Sequence, residues 1–278
     1  SLELAQQMDD RQRQERNLNN LGVVYLTLGE YDKAIEYLTR NFGLAQQIGD
    51  RGVQAHSLAN LGNVYYELGK YDKAIEYLTR SLELKQQTGD RQAQAYSLDS
   101  LGNVYYRLGE YDKAMEHHTR SLELAQQIGD REVQALSLDN LGNVYHALGE
   151  YDKAIEYLTR SLELAQQIGD RLVQADSLRN LGLVYEGLRE HDRAISYLQQ
   201  ARAVFDSLGL AHEVVKTDEI IARVQQAASG GLRGAPANRL LFNEQTRRTD
   251  WPLRFYFNVD ACDGHWCASI SLLTRPPR

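Results

Sequence analysis

The chain has 278 residues, 42% apolar and 25% charged, with two cysteines and a formal net charge of −7. That length supports a packed fold, so few cysteines exclude a disulfide-built scaffold and point to a reducing, cytoplasmic setting, and no apolar run approaches the roughly 20 residues of a membrane-spanning helix. The acidic balance argues against nucleic acid as a partner, although residues 229–278 carry seven Arg against four acids, so an acidic body bears a basic tail.

From the start the chain is periodic. Ser1 to Asp10 show neither an initiator Met nor a signal-peptide pattern and read as the middle of a repeat. Tyr-Asp-Lys-Ala begins at Tyr31, Tyr71, Tyr111 and Tyr151, and His-Asp-Arg-Ala at His191, so the period is 40. Leu-Gly recurs at 21, 61, 101, 141 and 181, each followed by Tyr25, Tyr65, Tyr105, Tyr145 or Tyr185. A half copy and five full copies result. Within a copy, Leu58, Leu61, Val64, Tyr65 and Leu68, then Ala74, Ile75, Leu78 and Leu82, fall at helical spacing, so each copy is a pair of amphipathic helices. Gly29, Gly69, Gly109 and Gly149 end the first helix, where a left-handed residue costs least without a Cβ. Gly-Asp at 49–50, 89–90, 129–130 and 169–170 ends the second, the Asp capping the helix that follows. One pair buries a single face, so copies must stack into a solenoid. Leu210 to Ala228, with Val214, Ile221 and Val224 on one stripe, is expected to be a capping helix, and Ser229 to Pro236 breaks helix as a linker.

Leu58-x₂-Leu61-Gly62-x₂-Tyr65 followed by Ala74-x₃-Leu78 resembles the tetratricopeptide repeat family, of the 40-residue Leu-Gly-Asn type found in kinesin light chains, Pins-type G-protein modulators and bacterial arrays. Leu replaces Trp at the first bulky position, the period exceeds 34, and no Pro ends the second helix. HEAT-type pairs share the length scale but lack the Leu-Gly-x₂-Tyr signature. The expected fold is all-α: a right-handed α-solenoid over 1–228, a linker over 229–252 and a short β-hairpin over 253–273.

Near-identical copies make the variable columns informative. Four columns of the first helix vary most: Arg16, His56, Tyr96, Leu136, Asp176; Asn19, Ala59, Asp99, Asp139, Arg179; Leu26, Tyr66, Tyr106, His146, Glu186; and Thr27, Glu67, Arg107, Ala147, Gly187. With Val23, Asn63, Asn103, Asn143 and Leu183 they share one helical face. The resemblance implies that this stripe lines a concave, peptide-contacting groove. Asn63, Asn103 and Asn143 would bond a peptide backbone through their amides. His56, Tyr96, Tyr66, Tyr106, His146, Asp99, Asp139, Glu67, Arg107, Arg179 and Glu186 would set selectivity toward a basic and apolar segment. Exposed second-helix positions such as Glu76 and Thr79 scarcely vary, which weighs against mere drift. His118, in a column of Leu, reads as a tolerated core substitution whose reversal to Leu should stabilise the array.

In the tail, Phe255, Phe257, Val259 and Ala261 alternate with polar residues, Asp263-Gly264 signals a turn, and Trp266, Ala268, Ile270 and Leu272 alternate after it, giving the hairpin. Asp260, Cys262, His265 and Cys267 share its other face and form a weak Zn²⁺ candidate, with ordinary thiols the favoured reading. The sequence carries no phosphate loop, nucleophile elbow or His-Glu-x₂-His pair, so no enzymatic activity and no cofactor are expected. The expected function is protein binding by a scaffold. Alternatives are a regulatory array of a larger signalling protein and a groove occupied by the basic tail.

Overall fold

A computed structural model describes residues 2–230, all but a few linking residues of which are helical. The helices are α1 (Leu2–Thr27), α2 (Tyr31–Ile48), α3 (Arg51–Glu67), α4 (Tyr71–Thr88), α5 (Arg91–Leu108), α6 (Tyr111–Ile128), α7 (Arg131–Ala147), α8 (Tyr151–Ile168), α9 (Arg171–Gly187), α10 (His191–Ser207) and α11 (Ala211–Gly230). The hairpin, the Asp260–Cys262–His265–Cys267 metal candidate and the tail-in-groove contact lie outside the described residues. Among the described residues there is no strand, and no helix is long and apolar enough to cross a membrane.

The punctuation read from the sequence sits at the helix ends. Gly29, Gly69, Gly109 and Gly149 have φ between 68° and 75°, and Gly49, Gly89, Gly129 and Gly169 are equally left-handed. That geometry lets each residue after the glycine bond back five positions, as Lys70 N–H does to Tyr65 C=O at 2.8 Å. Asp50, Asp90, Asp130 and Asp170 each accept from a backbone N–H of the first turn they precede, such as Val53 N–H to Asp50 Oδ1 at 3.0 Å.

Within each pair, a Gly on the odd-numbered helix admits a large side chain from the even one. A Cβ on Gly62 would stand 2.7 Å from Leu78 Cγ, and one on Gly142 2.5 Å from Leu158 Cγ, so any larger residue would force the helices apart. The motif tyrosine closes the same contact by stacking: Tyr65 on Tyr77 at 5.1 Å and Tyr145 on Tyr157 at 5.2 Å, with His117 replacing the second ring opposite Tyr105. One cluster joins Tyr65, Ala74, Leu78, Leu98 and Leu101 across α3, α4 and α5, so the core is continuous from repeat to repeat. α11 packs on α10, with Thr217, Ile221 and Val224 buried.

Candidate functional site

Consecutive odd-numbered helices from α1 to α9 touch one another directly, while no two even-numbered helices pack comparably. The solenoid therefore curves with its odd helices inside, and the variable stripe belongs to the inner layer.

Its residues divide into those that join repeats and those a ligand could reach. Asp99, Asp139 and Arg179, expected as groove charges, are buried between repeats. Asp99 accepts from Asn140 Nδ2 at 2.8 Å and Ser137 Oγ at 3.4 Å on α7, and lies 2.8 Å from His118 Nδ1. Asp139 repeats the pattern one junction on, accepting from Ser177 Oγ at 2.7 Å, Asn180 Nδ2 at 2.9 Å and Asn143 Nδ2 at 3.1 Å. At the first junction Asn60 Nδ2 donates to Asn19 Oδ1 at 2.9 Å. Arg179 donates to Asp176 at 2.8 Å and to Glu213 of α11 at 2.5 Å, with its guanidinium over the Phe205 ring. The column follows the junction each residue serves: Asn19 with Asn60, Asp99 and Asp139 each with an asparagine, and Arg179 with Glu213. His118 is likewise an integral partner of Asp99 and not a tolerated substitution.

Other expected contacts are also engaged. Glu186 takes a two-pronged bond from Arg223, at 2.9 and 2.7 Å. Arg107 lies over the Tyr66 ring and bonds the Tyr71 side chain. Tyr66 is buried against Tyr71, Tyr106 leans on Tyr111 and His146 on Tyr151, so this column seals the boundary between the helices of each pair. Burial raises the Tyr66 and Tyr96 hydroxyls, pushes that of Tyr106 up to about 12 and lowers His146. Asn63, Asn103 and Asn143 lie beneath the surface. Asn103 is 0% exposed, with both carboxamide atoms unpartnered, and Asn63 and Asn143 each leave Oδ1 unpartnered. His56, Tyr96, Tyr106, Arg107 and His146 remain half-buried, and Glu67 is exposed. Two of the acids expected in the groove, Asp99 and Asp139, are thus used within the fold.

One residue escaped the sequence reading. Lys85 stands where the sister repeats have Ala45, Ala125 and Ala165. It is 5% exposed and donates to Ser97 Oγ at 2.9 Å, and burial pushes its ammonium down to about 8. It lines a recess between α3, α4 and α5 together with His56, Asn63, Tyr96, Ser97 and Ser100. The signal was the column itself: a cation among alanines on the buried side of a helix. Among the described residues no group of three or more His, Cys, Asp or Glu is placed to hold a metal ion. The Asp99–His118 pair is closed to solvent, so it can orient but not react with a substrate.

Comparison with known proteins agrees with this architecture. A sequence profile of the tetratricopeptide repeat matches residues 14–87, 53–127, 91–167 and 132–207. No curated protein matches the sequence significantly. Among solved structures, BtubC (BKLC) from P. vanneervenii superposes with a TM-score of 0.56 at 21% identity, covering 75% of this chain and 95% of that one. A signal transduction ATPase with numerous domains and a tetratricopeptide repeat sensor, from Pyrococcus horikoshii, gives 0.61 at 22% identity over 72% of this chain, which spans 31% of that protein. A Rap protein complexed with competence and sporulation factor gives 0.58 at 15% identity, covering 80% and 66% of the two chains. On the profile match, which takes in most of the eleven helices, the chain belongs to the tetratricopeptide repeat family.

Proposed function

We propose that this solenoid binds a peptide segment of another protein along the inner layer of odd-numbered helices. The observation that carries the reading is the chemistry left within reach there. His56, Tyr96, Tyr106 and His146 offer half-buried rings on successive repeats, and each differs from its counterpart in the next copy. Aromatic side chains of this kind give large contact area at low entropic cost and dominate binding energy at protein interfaces. Family membership supports the same reading, as does a Rap protein of similar fold that was captured with competence and sporulation factor. Asn63, Asn103 and Asn143, buried in the same stripe, would act after a small movement of the covering side chains, giving their unpartnered amide atoms a use. Asp99, Asp139, Arg179 and Glu186 serve the stack of repeats, so a basic partner has no special claim.

The test is selection of a displayed peptide library on the full chain, followed by titration of the winning peptide against the double variant His56→Ala, Tyr96→Ala. Loss of affinity with unchanged helicity supports inner-layer binding; equal affinity rejects it. A second reading, a sensor array within a larger signalling protein, draws on the likeness to the tetratricopeptide repeat sensor of the Pyrococcus horikoshii ATPase.

A further inference from the structure

The junction between α3 and α5 departs from the two that follow it. At those later junctions a buried carboxylate, Asp99 or Asp139, reaches the next odd-numbered helix and takes bonds from a serine and an asparagine. Between α3 and α5 the corresponding acid is Ala59 and the corresponding asparagine is Ser100, while the serine is kept as Ser97. On the intervening even-numbered helix, Lys85 replaces the alanine of the sister repeats. An anion is missing from its place, and a cation has been brought beside the vacancy in the pattern.

The Lys85 ammonium has three N–H donors, and Ser97 Oγ is its one hydrogen-bond partner among the described residues. A cation so deeply placed is costly unless it is paired. The recess it lines is bounded by His56, Ala59, Asn63, Tyr96, Ser97 and Ser100. Its enclosed part is about 20 Å³, room for a group the size of one water or one carboxylate oxygen.

We propose that this recess seats the carboxylate of an aspartate or glutamate side chain from a bound peptide, standing in for the acid that position 59 lacks. The inference rests on the peptide-binding reading above and names the chemistry of one anchor. A side chain suits the narrow recess because it can enter while its main chain stays in the groove.

The experiment uses the full chain, the variants Lys85→Ala and Ala59→Asp, and two probes. Lys85→Ala keeps the fold, since Ala45, Ala125 and Ala165 occupy the same place in sister repeats. Ala59→Asp supplies the missing acid from within. The first probe is sodium acetate against sodium chloride at matched ionic strength: acetate is expected to raise the melting midpoint of the parent but of neither variant, while Ala59→Asp melts higher than the parent without acetate. The second is a pair of C-terminally amidated random peptide libraries with one fixed Glu or one fixed Gln. The parent is expected to capture the Glu library in about tenfold excess, as one charge-assisted hydrogen bond implies, and both variants to lose that excess. Equal acetate responses in the parent and a folded Lys85→Ala variant overturn the seat. Equal capture of the two libraries overturns it too, leaving peptide binding intact. Capture only of peptides with free C-termini moves the site to terminal carboxylates and refutes the side-chain assignment. Retention of no peptide, despite a Lys85-dependent acetate response, overturns the peptide reading and the proposal with it.

Discussion

Asp139→Asn should make the solenoid more stable at pH 8 and change it little at pH 4. The Asp139 carboxyl is buried, and burial is the largest influence on it; the nearby Asp176 charge adds to the effect, and the Ser177 hydrogen bond, the Arg179 charge and the Asn143 hydrogen bond oppose it. Its pKa is pushed up from 3.8 to about 7. Between those values the folded chain holds a proton that the unfolded chain has released, so the stability this group supplies is whole below pH 4 and is lost as pH rises through 7. A shift of about three units at 1.36 kcal/mol each sets an upper bound near 4 kcal/mol on the penalty carried by the ionised form. The asparagine variant carries none of it, and the unpartnered Oδ1 atoms of Asn143 and Asn180 can turn to accept from the new amide. Urea unfolding of both proteins from pH 4 to pH 8 isolates the effect, because every other titrating group cancels in the difference. The expected result is a gap that opens by about 1–4 kcal/mol with rising pH, a range consistent with partial relaxation around a buried charge. Parallel stability curves would refute the reasoning and mean that Asp139 stays ionised in the fold throughout.

Replacing His118 by Leu, which the leucine column suggests should stabilise, is now expected to cost about 2 kcal/mol by leaving Asp99 short of a partner. Adding Asp99→Ala together with Asn140→Ser should recover most of that loss, because the set then matches Ala59, Leu78 and Ser100; a triple variant no better than the single in chemical denaturation sinks the coupling. Arg189 holds φ 62° where the sister repeats have glycine, so Arg189→Gly should gain about 1 kcal/mol, seen as a higher melting midpoint. Asn103→Leu removes two buried unpartnered polar atoms and should stabilise the isolated chain by about 1–3 kcal/mol. A lower midpoint would show that the amide is satisfied in solution.

Much of the fold was legible because its determinants are local. Gly69 ends a helix for reasons contained in its own backbone, and Asp90 caps one through an N–H three residues away, so the letters alone point to both. The close contact of Gly62 with Leu78 was readable from the motif. The site was harder, for a geometric reason. A helix of the inner layer turns one face toward the groove and an adjoining face toward the next repeat, and the two are separated by less than the width of a periodic stripe. Asp99 and Asp139 therefore looked like groove charges although they point across junctions. The evidence against that view was present as paired change: Asn19 with Asn60, Asp99 with Asn140 and Asp139 with Asn180 keep a polar couple, while Ala59 and Ser100 lose it together. Lys85 was passed over because lysine on an amphipathic helix is ordinarily solvated.

The unequal couples between neighbouring repeats also bear on how such a chain finds its order. Copies this similar invite docking of the wrong pair, a failure characteristic of repeat arrays. Skipping one repeat would set Asn140 against Ala59 at one junction, or put Asp139 in the place of Arg179 opposite Glu213 at another, bringing two carboxylates together in a part-buried contact. Part of the register of the solenoid is thus written at its junctions, where the Ala59–Ser100, Asp–Asn and Arg179–Glu213 positions tell the early, middle and last repeats apart.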